Sequence, residues 1–152
     1  MKKNFDIIII GGGVVGCSIA RELSRYNLES AVLEKEADVG WGASCRNTGV
    51  VHAGFSHIPG SLKASLCVQG NKTFQTLCKE LDVPYKKLGK LVVTHNKEGI
   101  PNLKHLKEQG EKNNVDDLAI ITQSELKQLE PNINGYAALF SPNSAITSPY
   151  HL

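Results

Sequence analysis

The stretch that decides the fold is Phe5-Asp6-Ile7-Ile8-Ile9-Ile10-Gly11-Gly12-Gly13-Val14-Val15-Gly16, followed by an amphipathic run and then Ser30-Ala31-Val32-Leu33-Glu34. Phe5 to Ile10 is short, apolar and β-branched, and glycine ends it, as expected of a buried parallel strand. From Val14 to about Tyr26 the pattern is helical: Val15, Ile19 and Leu23 recur at four-residue intervals, with Arg21, Glu22 and Arg25 opposite. Ser30 to Glu34 reads as a second buried strand. Strand, helix and strand within about 30 residues make a parallel β-α-β unit.

Gly11, Gly13 and Gly16 fit G-x-G-x-x-G in the required context, after a strand and opening a helix. Gly11 allows the tight turn, Gly13 removes a Cβ that would block a pyrophosphate, and Gly16 lets the helix pack closely on the sheet. The first helical turn, where Val15 lies, offers unpaired N–H groups and a partial positive charge to phosphates. Glu34 stands 23 positions after Gly11, close to the ~20 expected of the acid that binds a ribose hydroxyl pair. Together these features predict a dinucleotide with a free 2′-hydroxyl.

Working outward, Lys35 to Gly60 carries no sustained period and is rich in glycine, hydroxyl and amide residues, which suits a ligand-hugging backbone. A nicotinamide-binding domain would instead pass from the acid into a further short helix and strand. A helix is expected over Ser61 to Leu81, burying Leu62, Leu66, Phe74, Leu77 and Leu81. Beyond it come a strand of a different sheet at Leu88 to His95 and a helix over about Pro101 to Lys112. Thr122-Gln123-Ser124-Glu125 reads as a capping box for a helix ending at Leu129 before Pro131. Tyr136 to Phe140 and Ala145 to Thr147 read as strands.

Composition limits the alternatives. The chain has 152 residues, 41% hydrophobic and 21% charged, which is ordinary for a globular domain. A net charge of +2 gives no reason to expect nucleic acid. The apolar run at Ile7 is far shorter than the ~20 residues of a membrane span. Met1-Lys2-Lys3 resembles a leader n-region, but the glycines break the apolar stretch, and a cytoplasmic location is expected. Cys17, Cys45, Cys67 and Cys78 form no C-x-x-C, so neither disulfides nor a metal site is expected. The sequon Asn71-Lys72-Thr73 is taken as a chance match.

Four stretches carry a resemblance. They are Gly16-Cys17-Ser18-Ile19-Ala20-Arg21-Glu22-Leu23, Arg46-Asn47-Thr48-Gly49-Val50-Val51-His52-Ala53-Gly54, Pro59-Gly60-Ser61-Leu62-Lys63-Ala64 and Ser148-Pro149-Tyr150. The sequence resembles the D-amino-acid-oxidase-like FAD-dependent oxidoreductases, in particular the branch of glycerol-3-phosphate dehydrogenases and L-2-hydroxyglutarate oxidases. That resemblance implies an α/β fold: a Rossmann-like FAD-binding β-α-β unit followed by part of an α+β substrate domain.

The divisions implied are residues 1–84 for the start of the FAD-binding domain, 85–147 for part of the substrate domain, and 148–152 for the return. The implied cofactor is FAD, and the implied reaction is oxidation of a small anionic secondary alcohol by hydride transfer to flavin. Glycerol 3-phosphate leads as the substrate; a 2-hydroxy acid or an amine or amino acid is the alternative. A non-catalytic dinucleotide-binding module is the reading from another class.

Carried onto this sequence, Gly11, Gly13, Val15 and Gly16 hold the pyrophosphate, with Glu34 and Lys35 at the ribose. Ser44, Arg46 and Asn47 follow the pyrophosphate and ribityl chain, and Gly49, Val50 and His52 approach the flavin. Two roles stay open for His52: orienting the flavin or taking the substrate hydroxyl proton, or merely tying down the loop. Trp41 is expected to pack, and no metal is expected. The implied partners are a small-molecule substrate and no nucleic acid or membrane span, with peripheral membrane contact of a longer parent left open. Read this way, the sequence is an N-terminal piece that turns over nothing alone, and its unpaired sheet edges favour self-association.

Overall fold

A computed structural model describes residues 4–152; the Met1-Lys2-Lys3 segment weighed above as a leader lies outside the described residues. Two compact units emerge, one from the N-terminal residues to Gly49 together with Ser148–Leu152, the other from Val50–Thr147.

The first unit is the expected β-α-β. Strand β1 (Ile7–Ile10), helix α1 (Val14–Leu23) and strand β2 (Ser30–Leu33) follow in order. The strands pair in parallel from Ile7↔Ser30 to Ile10↔Leu33. At the entry, the Glu29 amide donates to Asp6 Oδ2 at 2.9 Å. Helix α1 stops at Leu23, short of the expected Tyr26, because Ser24 to Tyr26 fold back in a turn.

The expectation that both strands are buried is corrected. Ile9 is buried beside α1, whereas Ile8 and Ile10 on the opposite face are exposed, Ile10 at 88%. One helix covers one face of a two-stranded sheet, so alternate residues stay open. The apolar stripe of α1 is corrected too. Val15 and Ile19 are exposed, and the helix meets the sheet through buried Gly16.

The second unit begins with β3 (Val50–Val51), a short strand inside the segment expected to be all loop. There follow α2 (Leu62–Glu80), β4 (Tyr85–Lys87), β5 (Lys90–Thr94), α3 (Ile100–Lys112), β6 (Ala119–Thr122), α4 (Gln123–Leu129), β7 (Ala137–Ser141) and β8 (Ala145–Thr147). Two antiparallel sheets form, ordered β3-β8-β4 and β5-β7-β6.

Strand β7 is central, and its side chains alternate between two cores. Ala137 and Leu139 join Phe55, Val68, Leu103, Val115 and Leu118 in one cluster, while Ala138 faces Ile121 and Leu126 in the other. Helix α3 supplies Leu103 to the first and α4 supplies Leu126 to the second, so helices cover both faces of this sheet. Helix α2 turns Ala64, Val68 and Cys78 inward; Leu62, Leu66 and Leu81 are exposed, contrary to expectation, and Phe74 and Leu77 are half-buried. The capping box is present, with Thr122 and Glu125 bonding reciprocally across the start of α4.

Candidate functional site

The glycine turn joins β1 to α1. Gly11 has φ +102°, a conformation natural only to glycine, and its amide donates to the Leu33 carbonyl at 2.8 Å. A Cβ on Gly16 would lie 1.9 Å from the Gly11 carbonyl oxygen, so the helix can meet the turn only through glycine. Beside Gly13, a Cβ would stand 3.1 Å from Ser44 Oγ.

The start of α1 has no capping side chain of its own. Ser44 reaches it from the following loop instead, its Oγ accepting from the Val14 amide at 2.9 Å. The remaining amides of the first turn, including that of Val15, have no acceptor within the helix by geometry. The Val15 side chain itself is exposed and away from the cleft wall. Ser44 thus lies against the N-terminal end of α1.

Glu34 sits at the end of β2, and its carboxylate accepts three backbone donors. Oε2 takes the Gly12 amide at 2.6 Å; Oε1 takes those of Lys35 at 2.8 Å and Glu36 at 3.0 Å. The Glu36 and Gly12 amides, in that order, hold its carboxyl below the usual carboxylate value, aided by the Lys35 amide and charge. The group is therefore ionised at neutral pH, as a ribose acceptor requires.

Around these residues lies a cleft of about 590 Å³ whose walls include Gly11, Gly13, Glu34, Lys35, Trp41 and Ser44. That volume is in the range of small-molecule sites. Trp41, expected only to pack, is half exposed on the cleft wall, with the Arg46 guanidinium 5.5 Å from its ring centroid. Such a pair sets a cation against an aromatic face and holds Arg46 beside the cleft residues. Lys35 Nζ lies 3.4 Å from Glu36 Oε1.

Asn47 spends its side chain on the loop itself. Its Nδ2 donates to the carbonyls of Ala43 and Ser44, and its Oδ1 accepts from Gly49, which has φ +66°. Sequence reasoning gave Gly12 no role and counted Gly40 only as part of the glycine-rich loop. The Gly12 carbonyl accepts from the Gly40 amide at 2.8 Å, and the glycines filling both positions were the available signal.

In the second unit, Val50 forms part of β3 and His52 follows it. The His52 carbonyl accepts from Asn71 Nδ2 at 3.2 Å, while its imidazole is on an exposed residue. Partial burial of the ring, then the positive groups Lys90, His57 and Lys63, push its pKa below the ordinary histidine value. A neutral ring able to accept a proton results. Among the described residues no cluster could hold a metal ion, and all four cysteines are free thiols.

Known proteins share both the sequence and the fold of this chain. A glycerol 3-phosphate dehydrogenase of Caloramator mitchellensis is 44% identical over 96% of this chain and 31% of its own. A mitochondrial L-2-hydroxyglutarate dehydrogenase of Nematostella vectensis is 44% identical over 95% of this chain and 32% of its own. The L-alpha-glycerophosphate oxidase of Mycoplasma pneumoniae, solved with FAD bound, superposes with a TM-score of 0.88. It is 32% identical over 97% of this chain and 40% of its own. The chain thus spans about a third of the length of the curated relatives it matches. Residues 6–152 match the sequence profile of one family along nearly their whole length, and the chain belongs to that family, the DAO group of FAD dependent oxidoreductases.

Proposed function

We propose that this chain carries the FAD-binding start of a dehydrogenase that oxidises a small anionic secondary alcohol, with glycerol 3-phosphate the leading substrate. The observation that carries the reading is the single cleft that the glycine turn, Ser44 and Glu34 share in a chain of this family. Residues 1–84 are assigned to the FAD-binding domain and 85–147 to a substrate domain, with 148–152 returning to the first. A cytoplasmic location is proposed with it; among the described residues no helix is long and apolar enough to cross a membrane.

The residues fit an adenosine diphosphate group. Helix α1 turns its first amides and the positive end of its dipole toward the cleft, and the bare Cα of Gly13 leaves room beside Ser44. The Ser44 hydroxyl, having accepted from Val14, keeps its proton to donate to a phosphate oxygen. Arg46 supplies a cation, and Glu34 with Lys35 meets the ribose. When bound, FAD supplies the two-electron acceptor for the hydride that leaves the alcohol carbon. Gly49, Val50 and His52 are assigned to the flavin, and a neutral His52 is suited to accept the substrate hydroxyl proton.

A second substrate, L-2-hydroxyglutarate, is favoured by relatives of that name at 40–44% identity. Both compounds place a secondary alcohol near an anionic group. Dye reduction by the longer flavin-loaded parent, with each substrate in turn, separates the two.

The experiment for the proposal itself is titration of the chain with FAD, ADP and NAD, following flavin fluorescence and absorption. Preferential FAD binding with a shifted flavin spectrum is expected. Equal binding of all three, with no shift of the flavin spectrum, confines the site to the glycine turn and Glu34 and overturns the assignment of Gly49, Val50 and His52 to the flavin.

A further inference from the structure

We propose that Glu34 is also a positioning residue, a clamp that locks the glycine turn into its ligand-ready shape. The inference rests on the dinucleotide reading above and concerns what the turn does before any ligand arrives.

The Gly12 peptide is gripped at both of its polar groups. Its N–H donates to Glu34 Oε2 at 2.6 Å, short for such a bond and typical of a charged acceptor. Its carbonyl accepts from the Gly40 amide at 2.8 Å and from Cys17 Sγ at 3.3 Å. Gly12 itself is buried, and its bonds to Glu34 and Cys17 are part-buried. A Cβ there would stand 3.0 Å from Val39 Cγ1 and 3.2 Å from Glu34 Oε2. Glycine between Gly11 and Gly13 is therefore what lets the carboxylate come in against the backbone.

The clamp also limits what Glu34 can offer a ribose. A carboxylate has about four lone-pair directions. Oε1 spends two on Lys35 and Glu36, and Oε2 spends one on Gly12. One direction is left, on Oε2. The ribose diol is then met by one charge-assisted bond rather than two, and a second would have to pull the carboxylate off the turn.

The test compares the chain with its Glu34→Ala and Glu34→Gln variants, using ADP and 2′,3′-dideoxy-ADP, which has no ribose hydroxyl. Amide exchange at Gly12 is measured alongside. In Glu34→Ala, Gly12 protection is expected to fall about tenfold, as for losing one hydrogen bond to a charged group, while the β1–β2 ladder stays protected. Dideoxy-ADP binding should weaken about three- to tenfold, in proportion to that same lost bond, although removing a negative charge by itself favours an anion. Glu34→Gln, which keeps one acceptor oxygen, should fall between, and it replaces the alanine variant if ladder protection is lost there.

Unchanged Gly12 protection, or lost ADP binding with dideoxy-ADP unaffected, overturns the clamp and leaves Glu34 a ribose acceptor only. If the unaltered chain binds neither nucleotide, the proposed function fails, and exchange at Gly12 alone decides the clamp.

Discussion

Substituting Gly16 by alanine tests the geometry of the turn most directly. The new Cβ would lie 1.9 Å from the Gly11 carbonyl oxygen and 3.4 Å from Ile9 Cγ2. Carbon and carbonyl oxygen rarely approach closer than about 3.3 Å, so α1 and the turn must part by roughly 1.4 Å. The obstacle is backbone and cannot swing aside as a side chain would. Overpacking of this kind costs about 1–3 kcal/mol, and the rigid obstacle puts it at the upper end. Alanine returns about 1 kcal/mol of helix propensity, for a net loss near 2 kcal/mol. Displacement of that size also breaks the 2.9 Å bond between Val14 and Ser44 and moves the phosphate-facing amides. Losing one charge-assisted bond weakens ADP at least about tenfold. Trp41, the chain's single tryptophan, lies on the cleft wall, so its fluorescence follows the titration. Amide exchange should show a loosened β1–β2 ladder with β5-β7-β6 unchanged. Binding within threefold of the unaltered chain, with the ladder intact, refutes the argument.

The same exchange in α2 should do the reverse: a Cβ on Gly70 meets nothing within 4 Å, and Gly70→Ala should stabilise the second unit by about 0.5–1 kcal/mol in denaturant melts. His52 should titrate below the ordinary ~6.5, and Lys90→Gln should raise its midpoint by NMR. Because its folded pKa is depressed, the unfolded chain takes up a proton that the folded chain refuses, so stability is full above the unfolded value and falls as pH drops through it to the folded one. Thr122→Ala should cost about 1 kcal/mol through loss of the α4 cap, lowering the melting temperature by roughly 4–8 °C. The chain should self-associate with concentration through its open strands, and Ile10→Lys with Leu33→Lys should shift light scattering toward monomer.

How far the sequence could be read depended on what kind of signal each residue left. Gly11, Gly13, Gly16 and Glu34 announce themselves because turn, close approach and strand end each demand a particular residue type. Periodicity located α1 and α2 but misjudged their faces. It shows where Val15, Ile19, Leu62 and Leu66 line up, yet not whether another element covers them, and all four are exposed. Three strands were missed for different reasons. Val50–Val51 is only two residues long and lies within the glycine-rich segment read as loop. Tyr85–Lys87 follows a proline and carries two lysines, so it lacks the apolar run of a strand. Ala119–Thr122 runs directly into a helix, and its last residue was already claimed as the cap. Asn47 carries a polar side chain in a suspected ligand loop, but in the folded chain that side chain is bonded to the loop's own backbone.

Thr122 serves two elements at once. It is the last residue of β6, opposite Ala137 on β7, and its hydroxyl caps α4. Sliding β6 along β7 by one residue would flip Ile121 out of its cluster, and because the cap is local the start of α4 would be carried along, drawing Leu126 out of the same cluster. Alignment between strands and the starting point of the next helix are therefore written into one side chain, so an error in the former displaces the latter with it. Strand and helix at this junction share a reading frame, and a mispaired strand forfeits both together.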